Sequence, residues 1–92
     1  MAELVGRRVL YTGRVQGVGF RYRAVEIARE FPVVGWVRNL PTGQVELWVE
    51  GDEKGVSTFL TAVRECWGTF IRDEQTEQEP ATGRFQTFDV TV

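Results

Sequence analysis

Two glycines, Gly17 and Gly19, stand two positions apart, and an arginine, Arg21, follows two positions later. They lie in the run Gly13-Arg14-Val15-Gln16-Gly17-Val18-Gly19-Phe20-Arg21. Glycine has no Cβ, so it reaches φ > 0 and lets a ligand approach the backbone closely. A tight glycine turn that opens a helix aims several free N–H groups at one point, and the helix dipole adds partial positive charge there. The spacing therefore outlines an anion site, with the amides of Gln16, Gly17, Val18, Gly19 and Phe20 as its cradle and Arg21 beside them. From Leu4 to Val25 the chain carries Arg7, Arg8, Arg14, Arg21 and Arg23 and no acid. Arg21 and Arg23 fall in the expected first helical turn, where a cation opposes the macrodipole by roughly 0.3–1 kcal/mol. A sequence shaped for stability alone would place Asp or Glu there. A bound phosphate explains the placement, because the planar guanidinium binds phosphate through two parallel hydrogen bonds. A solvated arginine on a glycine-rich turn is the plain alternative. No role is apparent for Arg23 beyond solvated surface.

The elements that must hold this run follow from patterning. Alternation from Arg7 to Val15 reads as a first strand, with Val9, Tyr11, Gly13 and Val15 on one face. Phe20, Ala24, Ile27, Ala28 and Phe31 recur at helical spacing, so Phe20 to Phe31 reads as a helix. Pro32 ends it, because the residue before a proline avoids the α region. Val33 to Asn39 and Val45 to Glu50 read as a hairpin around Leu40-Pro41-Thr42-Gly43-Gln44. A turn centred on Thr42 places Trp36 opposite Trp48. On the second strand of the hairpin, Val45, Leu47 and Val49 face one way. Glu46, Trp48 and Glu50 face the other, expected to be a wet face on which the two tryptophans shield the sheet. Asp52 is placed to cap a second helix bearing Val56, Phe59, Leu60, Val63 and Trp67, and Gly68 stops it. Phe70 to Glu79 reads as an acidic outer strand. Pro80-Ala81-Thr82-Gly83 turns the chain into a last strand over residues 85–92.

That order is βαββαβ plus a C-terminal strand. It predicts an α+β fold, a ferredoxin-like two-layer sandwich in which an antiparallel sheet carries two helices on one face. With 92 residues, 42% of them hydrophobic, and no linker or repeat, one domain over residues 1–92 with one core is expected. The fold hosts many functions, so function has to be argued from the site.

Charge and composition narrow the chemistry. Residues 1–45 hold seven Arg and three Glu, for a net +4, and residues 46–92 hold four basic and ten acidic groups, for a net −6. A chain of overall charge −2 with one basic end suits a small anion better than nucleic acid. The chain has no His and one Cys. That removes Ser-His-Asp and Cys-His catalysis, His metal sites and an intrachain disulfide, and leaves too few ligands for a zinc cluster. No apolar run approaches the ~20 residues that span a bilayer. Met1-Ala2-Glu3 lacks the charged and apolar regions of a signal peptide, so a cytoplasmic protein is expected.

The glycine-arginine run, followed by Gly35-Trp36-Val37-Arg38-Asn39 and a Pro-Thr-Gly turn, resembles the acylphosphatase family over essentially the whole chain. Pro80-Ala81-Thr82-Gly83-Arg84-Phe85 with Phe88 is similar to the family's ending. Phe31-Pro32-Val33-Val34 departs from the family's usual glycine-containing turn. The resemblance implies hydrolysis of a carboxyl–phosphate anhydride to carboxylate and phosphate. It implies that Arg21 binds phosphate, that the amides of Gln16 to Phe20 cradle it, and that Asn39 orients the attacking water. It implies a monomer that needs no cofactor and no metal and acts on a small acyl phosphate, with neither nucleic acid nor membrane as partner.

Three other readings compete. Cys66-Trp67-Gly68-Thr69-Phe70-Ile71-Arg72 matches the C-x5-R spacing of thiolate phosphatases, but its bulky apolar filling and acidic surroundings argue against a reactive thiolate. A ferredoxin-like sheet with Tyr11, Trp36 and Trp48 exposed would stack RNA bases, although Glu46 and Glu50 share that face. A noncatalytic phosphate sensor would use the same loop and Arg21.

Overall fold

The computed structural model describes residues 3–92; the reading of Met1 and Ala2 as free of a leader lies outside them. Five strands and two helices follow in the order β1 (Leu4–Gly13), α1 (Phe20–Ala28), β2 (Val33–Asn39), β3 (Val45–Asp52), α2 (Glu53–Trp67), β4 (Ile71–Pro80) and β5 (Phe88–Val90). The sheet order is β4-β1-β3-β2-β5. β1 pairs antiparallel with both β3 and β4, and β2 pairs antiparallel with β3. The expected α+β two-layer sandwich is thus present, and Trp36 faces Trp48 across the hairpin as the turn length required.

Period-2 alternation decides which face is covered by helices. Val45, Leu47 and Val49 of β3, Val9 and Tyr11 of β1 and Val37 of β2 join Phe20, Ala24 and Ile27 of α1 and Val56, Phe59 and Val63 of α2 in one buried cluster. Fully burying a Val, Leu, Ile or Phe side chain contributes roughly 1.5–3 kcal/mol. Asp52 caps α2 as expected, its carboxylate accepting from the Gly55 N–H at 3.2 Å. α2 then runs to Trp67 and stops at Gly68, which takes a positive φ.

Several boundaries differ from expectation. β1 runs Leu4–Gly13, not Arg7 to Val15, so Val15 lies in the loop, and β3 continues past Glu50 to Asp52, where it pairs with Leu4 of β1. α1 ends at Ala28, not Phe31. The amides of Arg29, Glu30 and Phe31 donate instead to carbonyls three residues back, at 3.3, 3.0 and 3.1 Å. The last turn tightens because Pro32 excludes Phe31 from a further α turn. The outer strand begins at Ile71, after a 3₁₀ turn over Gly68–Phe70. The last strand is only Phe88–Val90, and it pairs parallel to β2 rather than antiparallel. β4 ends at one edge of the sheet and β5 lies at the other, so residues 81–87 must cross the sheet first. Only what remains can pair, and Phe88 then packs its ring 5.3 Å from that of Phe59.

That crossing corrects the picture of a wet second face. Glu46, Trp48 and Glu50 are buried, Trp48 being 5% and Glu50 1% exposed. The 81–87 strap lies over Trp48 and Glu50: the Thr82 and Gly83 amides each donate to Glu50 at 3.0 Å. Elsewhere on this face Arg8 and Arg38 close over Glu46 at 3.0 and 2.7 Å, and their guanidinium groups lie over the Trp48 and Trp36 rings.

Candidate functional site

The glycine-arginine loop joins β1 to α1. Its two ends are pinned by burial: Val15 and Phe20 are buried, while Gly17, Val18 and Gly19 between them are exposed. Below it, Phe20 packs on Tyr11 at 5.0 Å and on Trp67 at 5.1 Å, and Trp67 packs on Phe70 at 5.9 Å between ring centres. The Arg14 amide donates to the Phe70 carbonyl at 2.8 Å. The loop therefore sits on an aromatic pile that fixes where α1 begins. Burial, with the Glu74 carboxylate adding to it, pushes the Tyr11 phenol far above its usual range. Tyr11 is a support and stays protonated.

Gly17 and Gly19 adopt φ of 76° and 83°. Left-handed residues in a turn are what a concavity of backbone N–H groups uses to bind an anion. An added Cβ at either glycine would meet nothing within 4 Å, so glycine is required here for conformation and not for room. Gly19→Ala should therefore cost about 1–2 kcal/mol of backbone strain. It should lower Tm by about 4–8 °C per kcal/mol, and Gly19→Asn, which tolerates this region better, should lower it less. Thermal melts of the two variants check this.

Gly19 is also the N-cap of α1, and it offers no side chain to the helix amides. Among the described residues, no acceptor meets the N–H groups of Gln16 to Phe20. No acid stands in the first turn of α1. Arg21, half-buried in that turn, has no carboxylate within ion-pair distance among the described residues, and its guanidinium lies 5.7 Å from the Tyr22 ring centre. Arg23 differs: it is exposed and pairs with Glu26 at 3.5 Å, three residues along the helix. The neighbouring Cys66 sulfur and the Glu26 carboxylate hold its guanidinium pKa above the ordinary value. That is the solvated surface role expected of it.

Asn39 is the last residue of β2, on the same face as Val37 and so on the helix side of the sheet. Its Oδ1 is buried and has no donor among the described residues. A buried amide oxygen left in that state costs free energy unless a small donor reaches it. The loop is held against this strand end by one side chain. Gln16 Nε2 donates to the carbonyls of Leu40 at 2.8 Å and Gln44 at 2.9 Å. Gln44 in turn donates to Thr12 Oγ1 at 2.9 Å and accepts from Thr42 Oγ1 at 2.8 Å. The parts singled out in the sequence thus converge at one end of the sheet. The Gln16 side chain, Gln44 and Thr12 were not singled out, because their contacts join residues 24 to 32 positions apart.

The rival constellations do not assemble. Cys66 is exposed in the last turn of α2, and Arg72 lies beyond the 3₁₀ turn on β4, so the segment does not wrap a point. Tyr11 is wholly buried on the helix side, Trp48 is buried and Trp36 is half-buried, so the three aromatics do not form the exposed face that base stacking needs. No group of three His, Cys, Asp or Glu among the described residues is placed to hold a metal ion. Among them, no helix is long and apolar enough to cross a membrane.

Comparison with known proteins gives the family. A sequence profile of the acylphosphatase family matches residues 7–90. An acylphosphatase of Bacillus pumilus is 42% identical over 88 residues, covering 95% of this chain and 98% of that protein. The crystal structure of the acylphosphatase from Bacillus subtilis superposes with a TM-score of 0.87 at 30% identity, covering 96% of this chain and 99% of that one. The acylphosphatase structure from Coxiella burnetii gives 0.84 at 27% identity, covering 97% and 94%. With residues 7–90 matched by one family profile and 95% of its length aligned to a relative 42% identical, the chain belongs to the acylphosphatases, enzymes that hydrolyse acyl phosphates.

Proposed function

We propose that the partnerless amides of Gln16, Gly17, Val18, Gly19 and Phe20, with Arg21, bind the phosphoryl group of the substrate, and that Asn39 orients the attacking water. The observation that carries this reading is the pairing of an unmatched donor set with an unmatched buried acceptor. The loop offers only N–H groups and a guanidinium, which suit phosphate oxygens. Asn39 Oδ1 offers an acceptor to the O–H of a water.

The water oxygen attacks phosphorus as the bond from phosphorus to the acyl oxygen breaks. The carboxylate leaves with that electron pair. The water's protons end on the phosphate, so acyl phosphate and water become carboxylate and dihydrogen phosphate. Asn39 is a poor base, so a phosphate oxygen of the substrate takes the proton. A carboxylate of low pKa needs no strong general acid, which fits a site without histidine. Positioning and charge stabilisation then supply the rate. The reading takes the enzyme to be metal-independent, monomeric and cytoplasmic, built as one domain over residues 1–92, with a small acyl phosphate and not nucleic acid as its partner.

The test is phosphate release from benzoyl phosphate by purified protein with EDTA present. Wild type should turn over unchanged by EDTA. Asn39→Ala should lose about 10²-fold in kcat while inorganic phosphate still inhibits it. Full turnover by Asn39→Ala removes the water-orienting role, and loss of wild-type activity in EDTA removes metal independence. Size-exclusion chromatography with light scattering reads the oligomeric state.

A further inference from the structure

The Gln16 side chain uses both hydrogens of its amide on two carbonyls of a different segment, the β2–β3 turn. That turn begins immediately after Asn39. The Gln44 carbonyl also accepts from the Leu40 amide at 2.8 Å, and the Gln44 side chain reaches back to Thr12 at the end of β1. One polar network therefore ties three segments together: the end of β1, the glycine loop and the turn that follows Asn39. Gly17, Val18 and Gly19 are exposed, and the loop makes no other side-chain hydrogen bond to that turn among the described residues.

We propose that Gln16 is a positioning residue, whose side-chain amide sets the distance between the phosphate cradle and Asn39. This rests on the assignment of those two groups above. The cradle and Arg21 lie on the loop and α1, and Asn39 lies on β2, so phosphate binding needs only the first and attack needs both in register. Breaking the clamp leaves phosphate affinity nearly intact and misplaces the water. Rates respond steeply to such shifts, about 10²-fold for 1 Å. The chemistry of the clamp also restricts its replacement. Two carbonyl oxygens require two donor hydrogens on one nitrogen, which glutamine supplies at this reach. A glutamate of the same length would set a carboxylate against both carbonyls.

The experiment compares Gln16→Ala and Gln16→Glu, each in the wild-type and Asn39→Ala backgrounds, using benzoyl phosphate. Both variants should lose about 10-fold in kcat with KM and inhibition by inorganic phosphate changed less than threefold. In the Asn39→Ala background the further loss should be less than threefold, because the water is already misplaced. A kcat within twofold of wild type overturns the proposal, as does an equal loss in both backgrounds, or recovery by Gln16→Glu. A second readout does not depend on turnover. Titrating inorganic phosphate should shift the amide resonances of both the loop and residues 40–44 in wild type, and those of the loop alone in Gln16→Ala. If wild type hydrolyses nothing, the assigned reaction fails and the clamp stands or falls on these resonances. Coupled shifts that persist in Gln16→Ala overturn the clamp, and a wild-type loop that ignores phosphate overturns both.

Discussion

Arg21→Ala should lower kcat/KM for benzoyl phosphate by about 10³-fold, the scale seen when an arginine that stabilises transferring phosphoryl charge is removed. That is about 4 kcal/mol of lost transition-state stabilisation. The expectation rests on where Arg21 sits. It occupies the first turn of a helix whose amides lack a capping side chain, and it has no carboxylate partner among the described residues. The cation is electrostatically misplaced for the free protein by roughly 0.3–1 kcal/mol. Its removal should therefore leave stability unchanged or slightly higher, less the small contribution of its contact with Tyr22. Activity falls while Tm stays within about 3 °C, a combination that a structural arginine does not give. Arg21→Lys should restore part of the rate, because a lysine returns the charge but not the planar fork. Steady-state kinetics and thermal melts on the same preparations check both halves. Unchanged turnover by Arg21→Ala would end the assignment of Arg21 as the phosphate arginine.

Glu50→Ala should cost about 3 kcal/mol of stability, or about 15 °C in Tm. Glu50 is buried at the centre of the sheet, beneath the strap that joins β4 to β5. Its carboxylate accepts from Trp48 Nε1 at 2.6 Å, Thr82 Oγ1 at 2.6 Å and the Thr82 and Gly83 amides at 3.0 Å. Truncation leaves these donors unpaired where water does not easily reach them and unpins the strap. Glu50→Gln should cost less, about 2 kcal/mol, because one acceptor oxygen remains while the new NH2 faces donors. Burial alone would raise the carboxyl's pKa; the hydrogen bonds from Thr82, Gly83 and Trp48 outweigh it and hold the group below its ordinary 4.5. The sign follows. A carboxylate whose pKa is depressed by folding stabilises fully above the ordinary value, and that stabilisation disappears as pH falls through the folded value. Denaturant melts should show little change from this group between pH 7 and 5, then a loss below about 4.5 that is shallower in Glu50→Gln. An acid limb identical in wild type and Glu50→Gln would remove Glu50 as its source.

The sequence by itself determined the α+β layering and the central elements, and it brought forward the residues proposed for the site. Hydrophobic period fixes helix and strand locally, and Asp52, Gly68 and Pro32 mark boundaries through their own backbone chemistry. The loop was legible because its signal is also local: glycines that must take left-handed φ, and arginines placed where stability would not put them. Tyr11 and Trp48 were legible as strand residues but not as buried ones, since alternation assigns a face without saying what covers it.

Only the tertiary structure decided what covers it. The strap over Trp48 and Glu50 exists because β4 and β5 occupy opposite edges of the sheet, and strand order is not written in any one strand. The same crossing shortens the last strand to Phe88–Val90 and turns it parallel to β2. The Gln16 clamp and the Glu50 hub were silent for a related reason. Both join groups more than twenty positions apart through single polar side chains. A glutamine in a loop and a glutamate on a strand read as solvated until the chain has folded and withdrawn the water that would otherwise have bound them.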